Sequence, residues 1–141
     1  PDLPDDRRAD AAQYYVRRAG RDLAEDIQTS IVNETLTVLR DPHFAAVFGP
    51  GSLAEVPITG VLSDQRLING QIDRLVITAD EILIVDYKTN RPSPRSADEI
   101  PEIYRQQLRA YRDTLAQIYP NLLIKCALLW TDQPLLMPVP I

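Results

Sequence analysis

Cysteine, histidine and lysine are nearly missing from this 141-residue chain: one Cys, one His and two Lys. The single Cys126 excludes an intramolecular disulfide framework, a cysteine-built zinc site and an iron–sulfur cluster held by four cysteines of the chain, and reads as a small core residue. No run of about 18 apolar residues is present, so no segment reads as a membrane-spanning helix. The opening Pro1-Asp2-Leu3-Pro4-Asp5-Asp6 has no basic region followed by an apolar stretch, so it does not read as a secretory leader. A soluble intracellular protein is the expectation. With a formal net charge of −5 the whole-molecule field advertises no polyanion ligand, so local patches must carry any such claim. A Gly-x-x-x-x-Gly-Lys-[Ser/Thr] loop is also absent, which excludes an ATP-binding motor within these residues.

What is present fits one globular domain. Hydrophobic residues make up 45% and charged residues 25%, and 41 Leu, Ile, Val and Phe exclude a disordered tail. Residues 7–40 contain no proline and show helical spacing at Leu23, Ile27, Ile31 and Val38, with Gly20 as the break. They predict helices over about 6–19 and 22–40, the second ended by Asp41-Pro42. After the apolar turn Phe44–Phe48, the period changes to that of strands: Ala54–Leu62, Leu67–Thr78 and Glu81–Thr89, with Thr78-Ala79-Asp80 as a hairpin connection. Ser96 or Asp98 is positioned to cap a helix running to Ile118, with the apolar stripe Tyr104, Leu108, Tyr111, Leu115 and Ile118. Leu122–Trp130 reads as a strand covered on both faces and Leu135–Val139 as an edge strand. The order implies one mixed α/β (α+β) sheet in which the last long helix crosses over to set Leu122–Trp130 parallel to Glu81–Thr89.

Chemistry concentrates where the third strand ends. Asp86 and Lys88 are two apart and share a face, roughly 7 Å apart along the strand. A hairpin centred on Thr78–Asp80 pairs residues whose numbers sum to about 159, which sets Asp73 opposite Asp86. Two facing carboxylates repel unless a proton or cation lies between them. Carboxylate oxygens with the Tyr87 carbonyl suit Mg²⁺ or Mn²⁺, and Lys88 is placed to orient water and stabilise phosphoryl charge. The competing reading makes Asp73 and Asp86 strand-end acids paired at the surface with Arg74 and Lys88. Thirteen Arg against two Lys favour chemistry, since a Lys beside the acid supplies a compact ammonium that Arg cannot.

Three segments then carry a resemblance: Gly70-Gln71-Ile72-Asp73-Arg74-Leu75, Val85-Asp86-Tyr87-Lys88-Thr89-Asn90, and Tyr104-Arg105-Gln106-Gln107-Leu108-Arg109-Ala110-Tyr111. In this order and spacing they resemble the RecB-like branch of PD-(D/E)XK nucleases. With Phe48–Glu55 before them and Leu129–Asp132 after, the chain is similar to the C-terminal nuclease domain of AddA-type helicase–nucleases. The resemblance implies a restriction-endonuclease-like core and metal binding by Asp73 and Asp86. It implies a catalytic Lys88, and Gln107 and Tyr111 supporting the site and contacting DNA. It further implies a bacterial cytoplasmic repair enzyme that takes single strands of unwound DNA and works with an AddB-type partner subunit. Proteins of this kind carry a His on a helix ahead of the strands. His43 follows Asp41-Pro42 without the expected Gly-x-x-x-His setting, so it reads as a surface residue. The expectation is a single domain, with 1–48 helical and 49–141 the nuclease core, that begins after the His-bearing helix of a larger protein.

Glu55 remains as a supporting acid in the first strand, or as a strand-edge acid paired with an Arg. Arg105, Arg109 and Arg112 recur at helical spacing and form a stripe that can track a DNA backbone or pair with Glu102 and Asp113. Two functions from different classes follow. One is a metal-dependent DNA nuclease; the other is a nuclease-like fold without activity that docks or guides DNA in the same kind of complex.

Overall fold

Acidic residues open the first two helices and basic residues close them, as the helix dipole favours: Asp5 and Asp6 with Arg17 and Arg18 in α1 (Asp5–Ala19), Glu25 and Asp26 with Arg40 in α2 (Glu25–Arg40). The computed structural model describes residues 3–49 and 51–141, in two units, 1–49 and 50–141. In the first unit Gly20 ends α1, its N–H bonding Val16 O at 2.7 Å. The second helix begins at Glu25, later than the sequence pattern predicts, because residues 21–24 form a turn. Asp41 ends α2 and accepts from the His43 N–H at 2.9 Å, which starts a short 3₁₀ turn over Pro42–Phe44. A single helical turn, α3 (Ala45–Phe48), follows. Val32, Leu36, Phe44 and Val47 are buried, while α1 buries none of its residues.

The second unit is a five-stranded sheet in the order β1-β2-β3-β4-β5, built from β1 (Ser52–Val61), β2 (Leu67–Ile77), β3 (Glu81–Lys88), β4 (Leu123–Trp130) and β5 (Leu135–Pro138). All neighbours are antiparallel except β3 and β4, which are parallel and joined through α4 (Glu102–Ile118). Pro57 is tolerated because β1 is an edge strand. One face packs on α4: Ile58, Ile72, Leu75, Ile82, Ile84, Cys126, Leu128 and Trp130 share a core with Leu108, Tyr111 and Leu115. On the other face Val85, Ala127 and Leu129 are also buried, as the apolar run of β4 predicts.

The start of α4 differs from expectation. Ser96 and Asp98 do not cap it; they belong to a separate 3₁₀ turn over Ala97–Glu99, and Ser96 makes no side-chain cap bond. Pro101 resets the chain, and α4 begins one residue later. In the expected stripe Leu108, Tyr111 and Leu115 are buried, Tyr104 is half-buried against the core, and Ile118 is 60% exposed at the helix end. Two glycines let α4 approach the sheet closely. A Cβ on Gly60 would lie 2.6 Å from Thr114, and one on Gly70 would lie 2.6 Å from the Tyr111 hydroxyl.

Candidate active site

Alternation along β3 puts Ile82, Ile84, Asp86 and Lys88 on the α4 face, so a row of core residues runs directly into an acid and an ammonium. Asp86 is only 4% exposed, and it forms an ion pair with Lys88 whose own side chain is 14% exposed. The reading of exposed strand-end acids therefore does not hold for Asp86. Burial pushes the Asp86 carboxyl above its ordinary range; Lys88 pulls it back, and the nearby Asp73 charge adds to the rise. Asp86 Oδ2, itself buried, is the oxygen that meets the Lys88 ammonium.

Asp73 reaches the same place from β2. The predicted register holds in the Arg74↔Val85 and Leu75↔Ile84 pairs, and the ladder then stops. Side-chain alternation slips at this point: Ile72 and Leu75, three apart, both face the core, whereas Arg74 bonds the Tyr87 hydroxyl at 3.2 Å on the opposite face. The Asp73 carboxylate, at the slip, accepts from the Tyr87 backbone N–H at 2.7 Å. Arg74 also reaches Ser52 at 3.4 Å, so it ties down three strands. Burial raises the Tyr87 phenol, with Arg74 opposing the rise.

Glu55 lies opposite Asp73 between the pairs Ala54↔Arg74 and Val56↔Ile72, but the two are not paired in the ladder. Its φ of 52° is strained for a residue with a Cβ, and its side chain is exposed. Among the described residues no three His, Cys, Asp and Glu side chains converge in a metal-binding group. Two neighbouring carboxylates, one of them buried, nevertheless form a donor set of hard oxygens that fits a divalent cation.

Helix α4 supplies the polar frame. Gln107 Oε1 accepts from Lys88 Nζ at 3.4 Å, and Gln107 Nε2 donates to the Tyr111 hydroxyl at 3.1 Å. The arginine stripe is different. Arg105 is turned inward and donates to the Ala97 carbonyl, Arg109 bonds Glu102 at 2.6 Å and Arg112 bonds Asp113 at 2.7 Å. Each of the three is thus partnered within the helix or the turn before it. His43 is a surface residue with an 87% exposed side chain, bonded to Asp41. Sequence reasoning overlooked Gly70 and Tyr104. A lone glycine inside a strand signals close approach by another element, but Tyr104 was indistinguishable from a core aromatic.

Comparison with known proteins agrees with this geometry. The description "PD-(D/E)XK nuclease superfamily" matches residues 2–131. An ATP-dependent helicase/nuclease subunit of Oenococcus oeni is 32% identical over 97 residues, 69% of this chain and 8% of that protein. The corresponding subunit of Lactococcus lactis subsp. cremoris is 29% identical over 101 residues, as is an exonuclease/helicase subunit RexA of another strain; each alignment covers 71% of this chain and 7% of the relative. The chain thus spans under a tenth of the length of these relatives. The crystal structure of SSO0001 is similar at 13% identity and a TM-score of 0.43, covering 94% of this chain and 65% of that one. With a family match across nearly its whole length, the chain belongs to the PD-(D/E)XK nuclease superfamily.

Proposed function

We propose that this chain is the nuclease domain of an ATP-dependent helicase–nuclease that acts in recombinational repair of double-strand breaks. It would cut single strands delivered by the motor, in the bacterial cytoplasm and beside an AddB-type subunit. Among the described residues no helix is long and apolar enough to cross a membrane. One observation carries the reading: a buried, ion-paired Asp86–Lys88 placed next to a second carboxylate, Asp73. A solvated surface pair would not carry that burial, whose desolvation cost the ion pair offsets only in part.

PD-(D/E)XK nucleases generally use divalent metal ions. Asp73, Asp86 and the Tyr87 carbonyl are the proposed ligands, with Mg²⁺ the expected ion and Mn²⁺ a substitute. When bound, such an ion supplies Lewis acidity and a bound water of lowered pKa. The chain's own residues do the rest. Asp73 holds the β3 backbone at Tyr87 by accepting from its N–H. Lys88 brings a positive charge to the place where phosphoryl charge grows in the transition state. Gln107, held by Tyr111, limits where that ammonium can go. Glu55 is proposed to support the site through water, and Arg109, the more exposed of the two proposed arginines, to meet the DNA backbone.

The test is Asp86→Ala in the complete helicase–nuclease. Strand cleavage is expected to fall at least ~1,000-fold while ATP-driven unwinding persists; equal loss of both would contradict a dedicated cleavage site.

A further inference from the structure

We propose that Tyr104 is a positioning residue for Lys88, its ring face holding the ammonium in the orientation that also meets Asp86 and Gln107. Lys88 is a point charge on a flexible four-carbon stem with three rotatable donors, so two contacts leave its head free to swing. Asp86 and Gln107 supply two. The third is the Tyr104 ring, whose centroid is 4.3 Å from Lys88 Nζ, within the range where the negative face of an aromatic attracts a cation.

Tyr104 is itself fixed at three points, two of them on its ring. Its hydroxyl donates to Asn90 Oδ1 at 2.9 Å, in the loop that leaves β3. Trp130, fully buried and in register with Lys88 across the parallel strands, meets it at 6.3 Å between centroids with the planes tilted 57°. Its backbone N–H bonds Pro101 O at 3.0 Å in the first turn of α4. The late start of α4 after Pro101 thus places this residue, and Asn90, Tyr104, Trp130 and Lys88 form one assembly at the end of the strands.

The kinetic consequence rests on the nuclease reading above, but the geometry can be tested without it. The chain has only two lysines, Lys88 and Lys125. Lys125 has a 53% exposed side chain and pairs with Glu81, which makes it an internal reference. In the full chain labelled with ε-¹³C lysine, the Lys88 ε-methylene proton signal is expected upfield of that of Lys125, shifted by the Tyr104 ring current. Tyr104→Leu should move it to the Lys125 position, and Tyr104→Phe should restore the shift. Under cleavage conditions Tyr104→Leu is expected to lower kcat about tenfold with KM nearly unchanged, and Phe to recover most of it.

An unshifted Lys88 signal in the wild-type chain overturns the proposal whatever the activity, and needs no variant to fold. A signal that collapses in the Leu variant while kcat stays at the wild-type value overturns it as well. A shifted signal in a chain without nuclease activity upholds the contact and counts against the nuclease reading alone.

Discussion

Helices α1 and α4 have similar lengths, 15 and 17 residues, and opposite relations to their surroundings. The first buries nothing and leaves Tyr14 and Tyr15 about 70% exposed. The second buries Leu108, Tyr111, Thr114 and Leu115, and the sheet beneath it gives up two side chains, at Gly60 and Gly70, to let it approach. A helix held by its terminal charges and a few ion pairs tolerates change, because each such contact contributes little. A helix seated on a close-packed sheet does not. The chemistry resides where the second kind of helix meets the strand ends, since only a rigid support holds an ammonium, an amide and two carboxylates in place.

The largest effect is expected inside that region. Lys88→Arg keeps the charge but replaces a compact ammonium with a wide planar group in a space bounded by Asp86, Gln107 and the Tyr104 ring. Cleavage should drop on the order of 1,000-fold with the fold intact by circular dichroism; wild-type turnover in this variant would mean that Lys88 acts only through its charge.

Gly70→Ala comes next. The added methyl would sit 2.6 Å from the Tyr111 hydroxyl, so Tyr111 must move and Gln107 loses its partner. A destabilisation of about 1–3 kcal/mol is expected, read by urea denaturation, together with reduced cleavage. A neutral result would show that α4 can shift away from the sheet at no cost.

A smaller effect, of opposite sign, is expected from Asp86→Asn. Because burial holds the Asp86 carboxyl above its ordinary value of 3.8, the folded chain keeps this proton to higher pH than the unfolded chain. Its contribution to stability is therefore full below 3.8 and declines as pH rises through the folded-state pKa. The Asn variant escapes that decline. Its melting temperature, without added metal, should exceed the wild type's at pH 7 by a few degrees, on the order of what 1 kcal/mol produces in a chain this size. The gap should close near pH 4, and Mn²⁺ should raise the wild type's melting temperature only. A less stable Asn variant at pH 7 would show that the ion pair with Lys88 outweighs the desolvation of the acid.

The smallest effect belongs to α1. Tyr14→Ser should change unfolding free energy by no more than about 0.5 kcal/mol, as for other surface substitutions. A larger loss would mean that α1 is anchored more firmly than its exposure indicates.

Much of this was legible in the residues. Strand-like patterning, and for β4 a near-continuous apolar run, located the five strands, the hairpin at Thr78–Asp80 set the β2–β3 register, and acid-x-lysine spacing identified the Asp86–Lys88 face. What was not legible depended on distant elements. The slip at Asp73, which turns Arg74 to the face opposite Ile72 and Leu75, breaks the alternation on which the reading relied. Ser96 and Asp98 are good helix-capping residues, yet they belong to a separate 3₁₀ turn, and α4 starts only after Pro101. The arginine spacing correctly implied one helix face, but spacing alone does not say that Arg105 folds back on Ala97 or that Arg109 is answered by Glu102. The role of Gly70 emerges only once Tyr111 is seen above it.

The central claim is that Asp73 and Asp86 form a divalent-metal site. The most direct measurement is anomalous diffraction from crystals of the chain soaked in Mn²⁺. The account predicts a manganese peak between the two carboxylates, adjoining the Tyr87 carbonyl and absent in Asp86→Asn. A map without that peak at saturating Mn²⁺, with Asp73 still on the Tyr87 N–H and Asp86 still on Lys88, would contradict it.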